Sequence, residues 1–281
     1  MLLPGRILFA VAMVGFGVLC VVAVDFVNQL QPVNQFLPAS TPGYGFLAVL
    51  TGVLLIAAGL LIMADAMVRP AALALTTLFA LWIVFLHVPS AFVSPSLLRS
   101  PWWVRTFETV ALTGAALILA ARTSSKERVR WSRVGQVLFG VSLPVFGILH
   151  FIYAENTATQ VPAIFPWPLF WIYVTGTGNV AAGVAIVTGT LSRLAAILAG
   201  IMYGTYALTL HIPRSLTLHL PAFLTEDPVA FQRGRGGLTS LFVAIGMSGA
   251  AWIVASSLKK RDPVVAEKEL TMANAGADAE P

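Results

Sequence analysis

Residues 50–59 read Leu-Thr-Gly-Val-Leu-Leu-Ile-Ala-Ala-Gly, and residues 174–183 read Val-Thr-Gly-Thr-Gly-Asn-Val-Ala-Ala-Gly. The second stretch repeats the first at an offset of 124 (183 − 59). The same offset carries Pro38 to Pro162, Pro42 to Pro166, Arg69 to Arg193, His87 to His211 and Pro89 to Pro213. Before this block an offset of 130 pairs Phe9 with Phe139, Phe16-Gly17 with Phe146-Gly147 and Asp25 with Glu155. After it an offset of 135 pairs Phe107 with Phe242 and Gly114-Ala-Ala116 with Gly249-Ala-Ala251. Offsets that hold within apolar segments and slip between them describe one unit, duplicated and fused.

Composition sets the solvent of that unit. Charged residues make up 10% of the chain and hydrophobic ones 58%. A nearly uncharged apolar run of roughly 18 residues or more crosses a bilayer as a helix. Such runs fall at 7–24, 44–63, 71–87, 102–120, 134–153, 168–191, 194–212 and 238–258. The sequence therefore predicts an all-α polytopic membrane protein, with eight transmembrane helices arranged as two tandem four-helix bundles. The units are 1–121 and 134–258, joined by a basic cytoplasmic linker at 122–133 and followed by a disordered tail at 259–281 that is poor in apolar residues.

Arg6 precedes the first apolar run, but no small-x-small cleavage pattern follows it, so that run is expected to remain as an anchor. Arg6, Arg69, Arg122, Lys126, Arg128, Arg130, Arg133, Arg193, Lys259, Lys260, Arg261 and Lys268 fall on one side. Arg99, Arg105, Arg214, Arg233 and Arg235 fall on the other. Positive residues stay cytoplasmic, which predicts both termini on the cytoplasmic side, in keeping with a bacterial cytoplasmic membrane. Four spans per unit give the halves the same direction, related by an axis along the membrane normal rather than by an inverted repeat. The net charge of +5 follows from this loop asymmetry. No basic run interleaves with aromatics, so membrane lipids are the expected partners and nucleic acid is not.

Polar groups inside a bilayer need a partner or a purpose. Glu108 follows Arg105 by three residues on one helix, a spacing that suits an ion pair. The four histidines gather toward the outer side, with His87 and His211 in matching His-x-Pro contexts and His219 in the last outer loop. There they can cap freed carbonyls before a proline. No haem or metal motif is present, since neither His-x-x-x-His nor Cys-x-x-Cys occurs.

The two copies diverge in one direction: Cys20 becomes His150, Val53 becomes Thr177, Leu55 becomes Asn179, Phe79 becomes Tyr203 and Trp82 becomes Tyr206. Counting about 1.5 Å per residue places Asn179 and Tyr203 near mid-membrane. Their plain reading is a single interhelical hydrogen bond. The functional reading is an outward-opening pocket lined by His150, Glu155, Asn179, Tyr203, Tyr206 and His211. The aromatic and proline-rich run at 161–171 anchors at the interface or covers that pocket.

The runs Phe146-Gly-Ile-Leu-His150-Phe, Val161-Pro-Ala-Ile-Phe-Pro-Trp-Pro168 and Val174 to Gly183, followed by Arg193, resemble the DoxX-like family of four-helix membrane proteins. That resemblance implies the four-helix fold and a link to membrane redox complexes, including a thiosulfate:quinone oxidoreductase subunit. A membrane or extracytoplasmic redox partner would then supply the redox centre. This chain departs from the pattern as a fused tandem, and it carries Asn179 where many such proteins carry an acid. Three functions follow: a subunit of a quinone-linked redox system, whose ligand's carbonyls need hydrogen-bond donors; a non-enzymatic binder, transporter or scaffold for a hydrophobic small molecule or lipid; and an isomerase or cyclase using Glu155 and His150 as acid and base.

Overall fold

The computed structural model describes residues 2–27, 30–93, 102–121 and 125–258. The expected tail at 259–281 and the first residues of the expected linker lie outside them. Among these residues eight helices are long and apolar enough to cross a membrane: α1 (Leu2–Ala23), α2 (Tyr44–Met63), α3 (Val68–Phe92), α4 (Trp102–Ala120), α5 (Ser125–Ile152), α6 (Pro168–Thr188), α7 (Ser192–Phe223) and α8 (Pro228–Ser257). No strand occurs among the described residues. The outward surface of the rods is apolar, with Phe46, Phe85 and Leu208 all exposed, as a lipid-facing surface requires.

Several helices run longer than the hydropathy alone suggests. Residues 125–133 extend α5 rather than forming a free linker, and Arg133 donates hydrogen bonds to the carbonyls of Ile186 and Val187 at the end of α6. Arg233 and Arg235 lie within α8, not in a loop. His219 lies in the last part of α7, where its ring occupies the space beside Gly237.

The duplication is written into the backbone. Left-handed residues recur at the 124 offset: Gly43 and Trp167 before α2 and α6, Asp65 and Gly189 after them, and Met67 and Leu191 before α3 and α7. A π-helical turn interrupts α3 at Ile83–His87 and α7 at Ala207–His211, again matched residue for residue. Side chains of such different shape share these conformations, so it is the inherited chain path that sets them.

Close approaches repeat in the same way. A Cβ on Gly52 would meet the Gly17 carbonyl at 2.7 Å, and one on Gly147 would meet the Gly176 carbonyl at 2.5 Å, so α1–α2 and α5–α6 cross at equivalent points. Small residues let such backbones touch in lipid, where no hydrophobic force between helices is available. The fourth helices behave differently from those of two self-contained bundles. Gly114 of α4 abuts Gly135 of α5, with a Cβ at 2.5 Å from its carbonyl, and Gly249 of α8 abuts Phe9 and Gly5 of α1. Each fourth helix packs on the third helix of its own half and on the first helix of the other half, and α4 and α8 also pack together. These contacts interchange when the halves do.

An ion pair ties this exchange down at the end opposite the termini. Arg235 of α8 donates to the Asp25 carboxylate at 2.7 Å and to the Phe26 carbonyl at 3.1 Å, and the Tyr44 hydroxyl donates to Asp25 at 2.7 Å. At the opposite end Arg6 pairs with Asp65.

Candidate functional site

The polar divergence of the second half meets at one place, except for Thr177, which is exposed on α6 away from it. The Tyr203 hydroxyl donates to Asn179 Oδ1 at 2.7 Å, and Asn179 Nδ2 donates to the Thr175 carbonyl at 3.0 Å. Asn179 is fully buried. Directly above this pair opens a cavity of about 560 Å³, walled by α4, α5, α6, α7 and α8 and roofed by the loop that precedes α6. That volume lies within the ~300–1,000 Å³ range of small-molecule sites.

His150, Tyr203, Tyr206 and His211 all line the cavity. Asn179 stands behind the wall and reaches it only by holding Tyr203. Glu155 is not part of it: it is exposed on the short helix Ala154–Ala158, in a shallow groove beside Trp167 and Leu169. An acid–base pairing of Glu155 with His150 in this cavity is therefore not what the fold builds. The cause lies across the pseudo-two-fold. Asp25, the counterpart of Glu155, is drawn in by Arg235, whose own counterpart at the 135 offset is the uncharged Ser100.

Each polar group carries a defined hydrogen-bonding state. His150 Nδ1–H donates to the Phe146 carbonyl at 2.7 Å, which leaves Nε2 of the neutral ring as an acceptor. The Tyr206 hydroxyl is buried beside Thr175 and makes no hydrogen bond of proper geometry among the described residues. Tyr203, having donated to Asn179, presents an oxygen that can still accept. The roof is pinned by Trp171, whose Nε1–H donates to the Pro166 carbonyl at 2.9 Å and whose ring meets Phe165 edge-on at 5.4 Å.

Glu108 is the wall residue that sequence reasoning assigned elsewhere. Although it belongs to the first half, α4 carries it into the second-half cavity. It forms no ion pair within 4.0 Å with Arg105 among the described residues, and Arg105 does not line the cavity. Glu108 was nonetheless findable as the one acidic residue in the interior of an apolar span. Its own counterpart, Val243 on α8, lines the same cavity. Gln160 on the roof and Thr205 on the flank of α7 are both exposed and both line the cavity, so it reaches the surface at the loop end and beside α7.

The matching region of the first half is filled. Cys20, Leu55, Phe79 and Trp82 are buried, and the loop after α1 packs Val27 and Leu30 against this cluster. His87, the counterpart of His211, is fully buried; its Nε2–H donates to the Leu30 carbonyl at 2.9 Å and its Nδ1 accepts from Thr106 at 3.1 Å. It therefore fastens a plug rather than capping its own helix. His211 has no such bond among the described residues and faces the cavity.

No group of three or more histidine, cysteine or acidic residues able to hold a metal ion occurs among the described residues. No family model, no curated protein and no solved structure matches this chain.

Proposed function

We propose that this chain is a multi-pass membrane protein that takes a small, largely apolar molecule into the second-half cavity from the membrane or from the side opposite the termini. The observation that carries the reading is the contrast between equivalent places in the two halves. One is packed shut by Leu30 and fastened by His87, while the other is left open and given hydroxyl, imidazole and carboxyl groups. Packing an interior to full density is the default, since a void forfeits contact energy along its whole lining. A space of this size that is mostly apolar, with a few convergent polar groups, has the character of a ligand site.

A second reading places the chain in a membrane redox system, with a quinone as the molecule held. The DoxX-like runs around His150, Pro162 and Asn179 favour it, and the Tyr206 hydroxyl, which makes no hydrogen bond of proper geometry among the described residues, can donate to a ring carbonyl. Any redox centre would then belong to a partner. Purification in mild detergent, followed by solvent extraction and mass spectrometry, separates the readings. A bound quinone supports the redox role, and another lipid-soluble molecule at comparable stoichiometry supports binding alone. Neither species bound would contradict both.

A further inference from the structure

The cavity's hydrogen-bonding inventory defines the charge of its occupant. Its acceptors are the Glu108 carboxyl, His150 Nε2 and the Tyr203 oxygen, and its donors, all uncharged, include the Tyr206 hydroxyl, the Gln160 amide and one ring N–H of His211. No Lys or Arg lines it among the described residues, and the nearest cation along α4, Arg105, forms no ion pair with Glu108. The remaining wall is rich in aromatic side chains, among them Tyr206, Phe146 and Trp171. A carboxylate held against an apolar wall, with its nearest cation on the helix beyond ion-pair distance, is costly. Aromatic faces present negative charge density and attract a desolvated cation. A neutral ligand meets only uncharged donors here, and an anion meets Glu108 with no lining cation to offset it.

We propose that the cavity selects an amphiphilic organic cation, a protonated amine on an apolar body, with Glu108 as its counter-ion and the aromatic wall as its second recognition element. The proposal rests on the cavity being a ligand site and deepens that reading by fixing the charge class. It also gives the fusion of the two halves a purpose at this site. The residue that sets ligand charge is delivered by α4 of the first half, and the equivalent α8 position is Val243. One cavity receives the acid, and the other place is filled.

The test titrates the purified full chain, in neutral-detergent micelles, with decylamine, decanol and decanoate, which share one chain and differ in head group. The readout is the ligand concentration at which the melting temperature rises. The expected result is half-saturation by decylamine at a concentration roughly tenfold or more below that of decanol, with decanoate weakest, since one desolvated charge contact is worth about that factor. Glu108→Gln should bring decylamine to the level of decanol, and Glu108→Asp should keep part of the preference. Equal binding of decylamine and decanol by the unaltered chain would overturn the charge assignment while leaving the cavity as a ligand site. A decylamine preference that survives Glu108→Gln would overturn the role of Glu108. Binding of none of the three would overturn the cavity reading as well.

Discussion

Tyr203 donates a 2.7 Å hydrogen bond to Asn179 between α7 and α6, at the positions where the first half carries Phe79 and Leu55. Asn179→Leu alone leaves the buried Tyr203 hydroxyl without an acceptor and should cost about 1–3 kcal/mol. Asn179→Leu with Tyr203→Phe copies the first half and should cost less than the single change, near the ~0.6 kcal/mol typical of one such bond in a membrane. Unfolding of the four proteins in a double-mutant cycle measures the difference. Strict additivity would contradict the pairing.

Arg235 on α8 and Asp25 after α1 hold the exchanged helix in place at 2.7 Å, with Arg235 only 4% exposed. Removing the acid leaves a buried guanidinium with one carbonyl partner, Phe26. Asp25→Ala should therefore destabilise by about 1–3 kcal/mol, between the values for surface and fully buried pairs because the Asp25 side chain is 23% exposed. Glu155→Ala, at the equivalent place in the second half, should cost under ~0.5 kcal/mol, as exposed changes do. Paired denaturation curves in detergent decide it, and equal losses would contradict the asymmetry.

The crossing of α4 with α5 leaves no room for a side chain. Gly114→Leu and Gly135→Leu should each destabilise by about 1–3 kcal/mol or more, because the facing element is backbone carbonyl and cannot rotate away. Gly236→Ala, where a Cβ meets nothing within 4 Å, is the matched control and should be tolerated. Thermal unfolding of the three variants checks this.

Orientation follows from the distribution of Lys and Arg and has a direct assay. With Cys20 replaced by alanine, a cysteine at Ser40 or Thr157 should react with an impermeant thiol reagent in intact cells, and one at Ser125 should not. Labelling at Ser125 from outside would reverse the assignment.

The repeat, the eight spans and their helical character were legible because apolar length and matched glycines are local properties of the chain. The offsets even carried through to features that are not readable by residue type, such as the left-handed Met67 and Leu191 and the π turns ending at His87 and His211. The exchange of α4 and α8 was not legible. A repeat says which helices are equivalent, and either copy of the fourth helix offers the same small-residue face. For the same reason Glu108 was read against Arg105 on its own helix, although the pocket it faces belongs to the other half. Glu155 misled because its counterpart Asp25 is drawn inward only through Arg235, a partner distant in sequence whose equivalent position is Ser100. His150, Tyr203 and Tyr206 were recoverable because comparison of the copies isolates change at fixed depth, whereas His211, identical to its counterpart His87, stood out only by its His-x-Pro context.

The most direct test of a ligand site confined to the second half is occupancy measured by native mass spectrometry from mild detergent. Three proteins are compared: the unaltered chain; Met202→Trp with Thr205→Trp, which fills the cavity from its α7 wall; and Phe79→Tyr, which adds a hydroxyl at the filled place in the first half. The predicted result is a bound small molecule on the unaltered chain and on Phe79→Tyr, with its loss from the cavity-filled variant while that variant keeps its elution volume and helix content. Undiminished occupancy in the cavity-filled variant, or no bound molecule on the unaltered chain, would contradict the account.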